Sequence, residues 1–277
     1  MRKLFSLILA GILAMLAGCG GAPAASTEAP AETTVPAGPA LTSSWIGSHI
    51  TTNAMGDVVS GHLLNFYDDG TVKIFYGIKA GVQGHHYGAY DGVYTDDGTV
   101  TYTYHRESEG DVEGTFQADL SADSFQAKIF CMASFPNSAG GGLHYVRIDP
   151  VELSEDAEYV YGGSKVTDDG TFAALLQLRD GVLTGNVAAN GLTGTFTGSW
   201  EVVYSDVTDL DTPDRLFLRY APLVLEETGI RAGEETAETA SAFNDTSYLN
   251  CTILAEADAF PRIPMAAIVS QDGSRNP

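Results

Sequence analysis

From Trp45 onward, apolar and polar side chains alternate over short runs broken by Gly, Asp, Asn and Pro, and no apolar stripe of helical period persists. Alternation with a period of two marks a strand with one buried face. It predicts an all-β body. The first half divides into eight strand candidates, at 44–51, 58–67, 71–77, 86–95, 99–106, 112–119, 124–131 and 143–149. The second half carries runs at 158–166, 171–178, 182–188, 192–205, 215–221, 248–255 and 265–270. Eight short strands joined by tight turns fit an antiparallel up-and-down β-barrel, whose closure leaves no edge to protect.

One turn recurs between these strands, as Asp68-Asp69-Gly70-Thr71, Asp96-Asp97-Gly98-Thr99 and Asp168-Asp169-Gly170-Thr171. A three-residue loop with Gly in the left-handed position and a G1 bulge suits this chemistry. Such a loop sets Phe66 opposite Val72, Leu64 opposite Ile74, Tyr94 opposite Val100 and Val166 opposite Phe172. A loop one residue shorter would bring Tyr94 against Thr101 and turn every side chain to the other face. Paired Asp residues also suit calcium, but an EF-type loop needs oxygen ligands at alternate positions and a distal Glu, which all three turns lack.

The DDGT turn opens a hairpin in both halves, and Ser124-Phe125, Ile129 and Phe135-Pro136 are echoed by Ser247-Tyr248, Ile253 and Phe260-Pro261. This points to two tandem β modules, 41–150 and 151–277, with one continuous sandwich or large barrel as the other arrangement the pattern allows. Within the second module, 225–246 is acidic and small and reads as a long exposed loop with one helical turn.

The N-terminus has a different character. Arg2 and Lys3 precede an apolar run from Leu4 to Leu16, and small residues lead to Cys19. Residues 1–18 therefore read as a secretory signal peptide, too short to span a bilayer securely. Leu16-Ala17-Gly18-Cys19 resembles the lipobox of bacterial lipoproteins, which implies lipidation of the Cys19 thiol, cleavage before it and an extracytoplasmic chain anchored to the bacterial cell membrane. Residues 19–40, rich in Ala, Pro, Thr and Gly, cannot form a core and read as a disordered tether, at roughly 3 Å per residue.

Composition narrows the partners. With 14 Lys+Arg against 36 Asp+Glu the chain carries a formal charge of -22, which disfavours nucleic acid, whose binding depends on basic side chains displacing counterions. Loss of Arg2 and Lys3 makes the mature chain more acidic still, so the membrane partner is reached through the lipid at Cys19 and not through a polybasic patch. Three Cys with no CxxC exclude a disulfide scaffold and a structural zinc site. Outside the cytoplasm a Cys131–Cys251 bridge would persist; the apolar run Ile129-Phe130-Cys131 equally suits a buried thiol.

Motifs of common enzyme classes are absent: no GxSxG, HExxH, Walker loop or GxGxxG between strand and helix. Glu109, Asp111 and Glu113 share one strand face, a spacing a glycosidase would use and one that equally guards a solvated edge. Asp206, Asp209, Asp211 and Asp214 surround Pro213, an oxygen-rich loop that lacks the Gly and distal Glu of a strong calcium site. His49, His62, His85, His86, His105 and His144 all fall in the first module, yet no HxH pair puts two rings on one face. No metal, cofactor or catalytic residue is assigned.

With Trp45-x-Gly47 opening the first strand, DDGT hairpins following and about eight strands in all, residues 41–149 resemble the lipocalin-like domains of bacterial lipoproteins. The resemblance implies a barrel that binds a small ligand. The tyrosine row is the candidate site: His86, Gly88, Tyr90, Gly92 and Tyr94 alternate along one strand, and the hairpin folds Val100, Tyr102 and Tyr104 onto the same side. Tyr90, Tyr94, Tyr102 and Tyr104, with His86 at the rim, would hold a small apolar or aromatic ligand or a glycan in the gaps the glycines leave. The same rings would alternatively fill a narrow barrel. The expected function is thus a non-catalytic binding module on an envelope lipoprotein, with a structural or protein-interaction role as the alternative and a hydrolase third.

Overall fold

The computed structural model describes residues 38–53, 56–80, 85–106, 109–129, 142–168, 170–203, 215–221, 223–226, 229–234, 236–240, 248–249, 254–255, 263 and 265–270. No helix occurs among the described residues. The first eight strands are β1 Leu41–Asn53, β2 Gly56–Tyr67, β3 Thr71–Ala80, β4 His85–Tyr94, β5 Thr99–Arg106, β6 Gly110–Gln117, β7 Ser124–Ala127 and β8 Leu143–Ile148. They form one antiparallel sheet in the order β6-β5-β4-β3-β2-β1-β8-β7. This is the circular order of an up-and-down barrel, with β8 returning to β1. The circle stays open between β6 and β7, because no ladder joins them among the described residues, and the sheet is a curled half-barrel. Across this gap Phe116 and Phe125 from the two edges join one buried cluster.

The second sheet holds β9 Tyr159–Thr167, β10 Gly170–Arg179, β11 Val182–Ala189, β12 Leu192–Val203, β13 Arg215–Tyr220, β16 Thr236–Ala240, β17 Tyr248–Leu249 and β19 Met265–Ser270, in the order β16-β13-β12-β11-β10-β9-β19-β17. A small third sheet pairs β14 Leu223–Glu226 antiparallel with β15 Gly229–Ala232 and parallel with β18 Leu254–Ala255. Strands β15 and β16 lie within the segment read as an exposed loop. Thr236-Ala237-Glu238-Thr239-Ala240 contains no large apolar side chain, so backbone pairing with β13, and not an apolar face, makes it a strand.

Two of the three DDGT hairpins have the expected register. Phe66 pairs with Val72, Leu64 with Ile74 and Tyr94 with Val100, and Gly70 and Gly98 have φ of 83° and 81°. The third differs by one residue: Gly170 pairs with Thr167, so Val166 faces Thr171 and Phe172 faces Lys165. The Asn190 side chain fills the space a Cβ on Gly170 would need and accepts a hydrogen bond from the Thr171 N–H at 2.9 Å. Because β10 is buried on both faces, packing outweighs the turn. Val166 is left 36% exposed while Phe172 is buried, the face exchange expected of a one-residue slip.

Three apolar clusters stack through the molecule. The inner face of the half-barrel buries Trp45, Leu64, Phe66, Ile74, Tyr102 and Tyr145 among others. Tyr161, Phe172, Leu176, Leu183 and Leu218 form the corresponding cluster of the second sheet. Between the sheets, Ile46, Leu63, Val146 and Ile148 meet Val160, Ala173, Leu175 and Ile268. The sheets approach closely here: a Cβ on Gly77 would lie 2.0 Å from the carbonyl oxygen of Ala267. Ser48 and Ser164 seal the contact reciprocally, each N–H donating to the other's Oγ at 3.1 and 2.9 Å.

Candidate functional site

Strand alternation puts the tyrosines of β4 and β5 on the inner face of the half-barrel, as their spacing predicts. Tyr102 and Tyr104 are buried, and Tyr90 and Tyr94 are half-buried against the same cluster. Tyr90 stacks on Tyr76 at 4.8 Å and lies 6.1 Å from Tyr102 and 6.5 Å from Tyr104, while Tyr94 meets Phe66 edge-on at 5.2 Å. The Tyr94 hydroxyl donates to the Tyr67 carbonyl at 2.6 Å. His86, at the end of the row, is half-buried, and its Nδ1 has no hydrogen-bond partner among the described residues. The glycine gaps are occupied. A Cβ on Gly88 would lie 2.6 Å from the Tyr76 hydroxyl and one on Gly92 3.0 Å from the Tyr102 Cβ. Tyr102 also covers Gly114 from the neighbouring strand.

Behind the tyrosines is a polar chain of buried groups. His62 Nδ1 lies 2.6 Å from the Tyr145 hydroxyl, and its Nε2 lies 3.2 Å from the Ser60 Oγ. Burial lowers the pKa of His62 to about 4, because the cation would have to leave water. The imidazole is neutral at ordinary pH and bridges two hydroxyls. A hydroxyl on one ring nitrogen and an orienting partner on the other resembles a nucleophile–base pair, but His62 is fully buried and too weakly basic to draw a proton from a serine at neutral pH.

Among the described residues one accessible concavity lies on the outer face of β3 and β4 where the two sheets and their connection meet, and a second of about 520 Å³ adjoins it across the connection, lined by Gln177, Arg179, Val182 and Thr184. The first has a volume of about 500 Å³ and is lined by Phe75, Tyr87, Ala89, Leu153, Ile268 and Val269, with Tyr67, Lys73, Glu152 and Glu155 as its polar groups. The connection forms one wall and is fixed from both sides. Ser44 Oγ donates to Asn65 Oδ1, Asn65 Nδ2 to the Val151 carbonyl, and the Val151 N–H to Ser44 Oγ, a closed ring at 2.8, 3.0 and 3.0 Å. From the second sheet, Gln177 accepts from the Ser154 N–H at 2.9 Å and donates to the Glu152 carbonyl at 3.2 Å. The wall is therefore preorganised.

Within the groove the Tyr67 hydroxyl donates to Glu152 Oε2 at 3.1 Å. Burial and then the Glu152 charge raise the pKa of Tyr67, which keeps the phenol protonated as a donor. Lys73 extends over the Phe75 ring, its Nζ 5.5 Å from the centroid, and has no ion-pair partner among the described residues. Asp91 stands opposite Lys73 in the ladder.

The remaining sequence candidates do not join this groove. Glu109, Asp111 and Glu113 are exposed on or beside edge strand β6, and His105 meets Asp111 at 3.0 Å. Among the described residues no three His, Cys, Asp or Glu side chains converge as metal ligands. Cys19, Cys131, Cys251, Asp206, Asp209, Asp211 and Asp214 lie outside the described residues. The groove itself was missed by pattern reading, because its residues come from four separate segments. Its one sequence signal is Phe75, an aromatic at a polar position of the β3 alternation. Compared with known proteins, the chain matches no family model, no curated protein and no solved structure.

Proposed function

We propose that this chain is a lipid-anchored envelope lipoprotein of bacteria, held through Cys19, whose β body is a non-catalytic binding module for a small apolar or aromatic ligand. The groove at Phe75 carries this reading. It combines apolar walls with a few fixed polar groups, the composition expected of a small-molecule site. The tyrosine rings that occupy the glycine gaps at Gly47, Gly88 and Gly114 favour the groove over the tyrosine row. The sealed setting of Ser60 and His62 favours binding over hydrolysis.

The body is read as two tandem lipocalin-like modules. Both eight-stranded sheets follow the same circular order, and the reciprocal bonds of Ser48 and Ser164 align Trp45-Ile46-Gly47-Ser48 with Tyr161-Gly162-Gly163-Ser164. Following the ladders outward, Leu63 pairs with Phe75 as Leu175 pairs with Asn186, and Phe75 pairs with Ala89 as Asn186 pairs with Thr195. Gly77 likewise pairs with Tyr87 where Ala188 pairs with Thr193. The second module thus has Asn and Thr where the first has Phe, Ala and Tyr. Sheet geometry does not demand the aromatic lining, which is what a site added to one module would look like.

Two measurements test the proposal. Radiolabelled palmitate should be incorporated into the wild-type chain and not into Cys19→Ala; equal labelling would remove the anchor. Nile red fluorescence should rise on titration with the wild-type chain and stay flat with Ala89→Trp, which fills the groove from an exposed position. An Ala89→Trp chain that binds the dye as well as wild type would remove the groove.

A further inference from the structure

We infer that the ligand of this groove is an organic cation, an amine carried on an aromatic or aliphatic body; the inference rests on the groove being the binding site. Three observations lead there. First, the lining holds two carboxylates, Glu152 and Glu155, against the single ammonium of Lys73, and Asp91 lies across the ladder from that ammonium. An anion entering the groove would be desolvated beside like charges, which is costly. Second, the formal charge of -22 sets up a field that draws cations toward the surface and repels anions before any contact forms. Third, the face of Phe75 already carries a cation: Lys73 Nζ sits 5.5 Å from the ring centroid, within the range of a cation–π contact. Lys73 is a resident cation on a flexible stem, occupying the place a ligand ammonium would take.

The groove also orients such a guest. Tyr67 donates to Glu152 Oε2, which holds the carboxylate in position while leaving its other lone pairs for an ammonium N–H. Leu153, Val269 and the exposed Ala89 offer the hydrocarbon surface for the body of the amine. The equivalent positions of the second module, with Asn186 in place of Phe75 and Thr184 in place of Lys73 by the same ladder correspondence, have neither the ring nor the charge.

A matched series tests the charge directly. Phenethylamine, phenethyl alcohol and 3-phenylpropionate share a phenylethyl body and differ in charge, and their binding to the purified chain is read by isothermal titration calorimetry. The amine should bind tightest and the acid weakest, with the gap narrowing as salt rises. Glu152→Gln should weaken the amine by roughly two- to fivefold, a typical worth for an exposed charge contact. Lys73→Met should strengthen it by removing the competitor. Reversed signs for the two variants, or alcohol and acid binding as tightly as the amine, would overturn the inference. If Ala89→Trp blocks every probe but charge makes no difference, only the cation is lost. If Ala89→Trp leaves amine binding unchanged, the groove itself falls.

Discussion

At the scale of single residues, His62 has the clearest consequence for stability. Its folded pKa of about 4 lies below the ordinary value near 6.5, so the unfolded chain binds this proton more readily. The neutral ring's contribution is complete above pH 6.5 and is lost as the pH falls toward 4, a loss of about 3 kcal/mol. The surface carboxylates act in another window. Hydrogen bonds from Thr71, Thr95 and Ser121 lower the pKa values of Asp69, Asp97 and Asp119, so their contributions persist until the pH drops below the usual carboxylate range near 3.8. Urea unfolding at pH 7 and pH 4.5 should therefore show a fall in stability for wild type that is absent from His62→Gln. The same fall in both would contradict the buried, neutral imidazole.

At the scale of elements, strand positions are legible because each exposes one face and buries the other. The eight strands of the first half and most of the second appear within a few residues of their sequence expectations. Where burial is two-sided or absent, the pattern loses its force. The β10 run Phe172-Ala173-Ala174-Leu175-Leu176 is buried throughout, so alternation could not choose its register, and the turn residues suggested the wrong one. The next two hairpins turn at Asp180-Gly181 and Asn190-Gly191. Both residues of each pair take positive φ, at 48° and 75° and at 53° and 78°, the geometry of a type I′ turn. Strand β16 lies at the other extreme, polar enough to read as loop and paired with β13 along its backbone.

For the molecule as a whole, the half-barrel and the second sheet pack against one another through a shared cluster, and each carries a further cluster of its own buried side chains. The expectation that Tyr90, Tyr94, Tyr102 and Tyr104 line a site recognised a real face, since all four lie on it. What the alternation did not reveal is that Tyr76, Tyr102 and Tyr145 lie across Gly88, Gly114 and Gly47; glycine in a strand makes room for a neighbouring ring as readily as for a guest. The groove arises only when two sheets and the connection at 151–155 come together, so it belongs to tertiary structure and has no contiguous trace in the chain. The proposed groove lies on the outside of the half-barrel, beside Phe75. Its most direct test is photo-crosslinking with a benzophenone-bearing primary amine, followed by mass spectrometry of the adducts. Adducts confined to peptides holding Phe75, Ala89, Leu153 and Val269 are the predicted result; adducts centred on Tyr102 and Tyr104, or spread evenly over the surface, would contradict it.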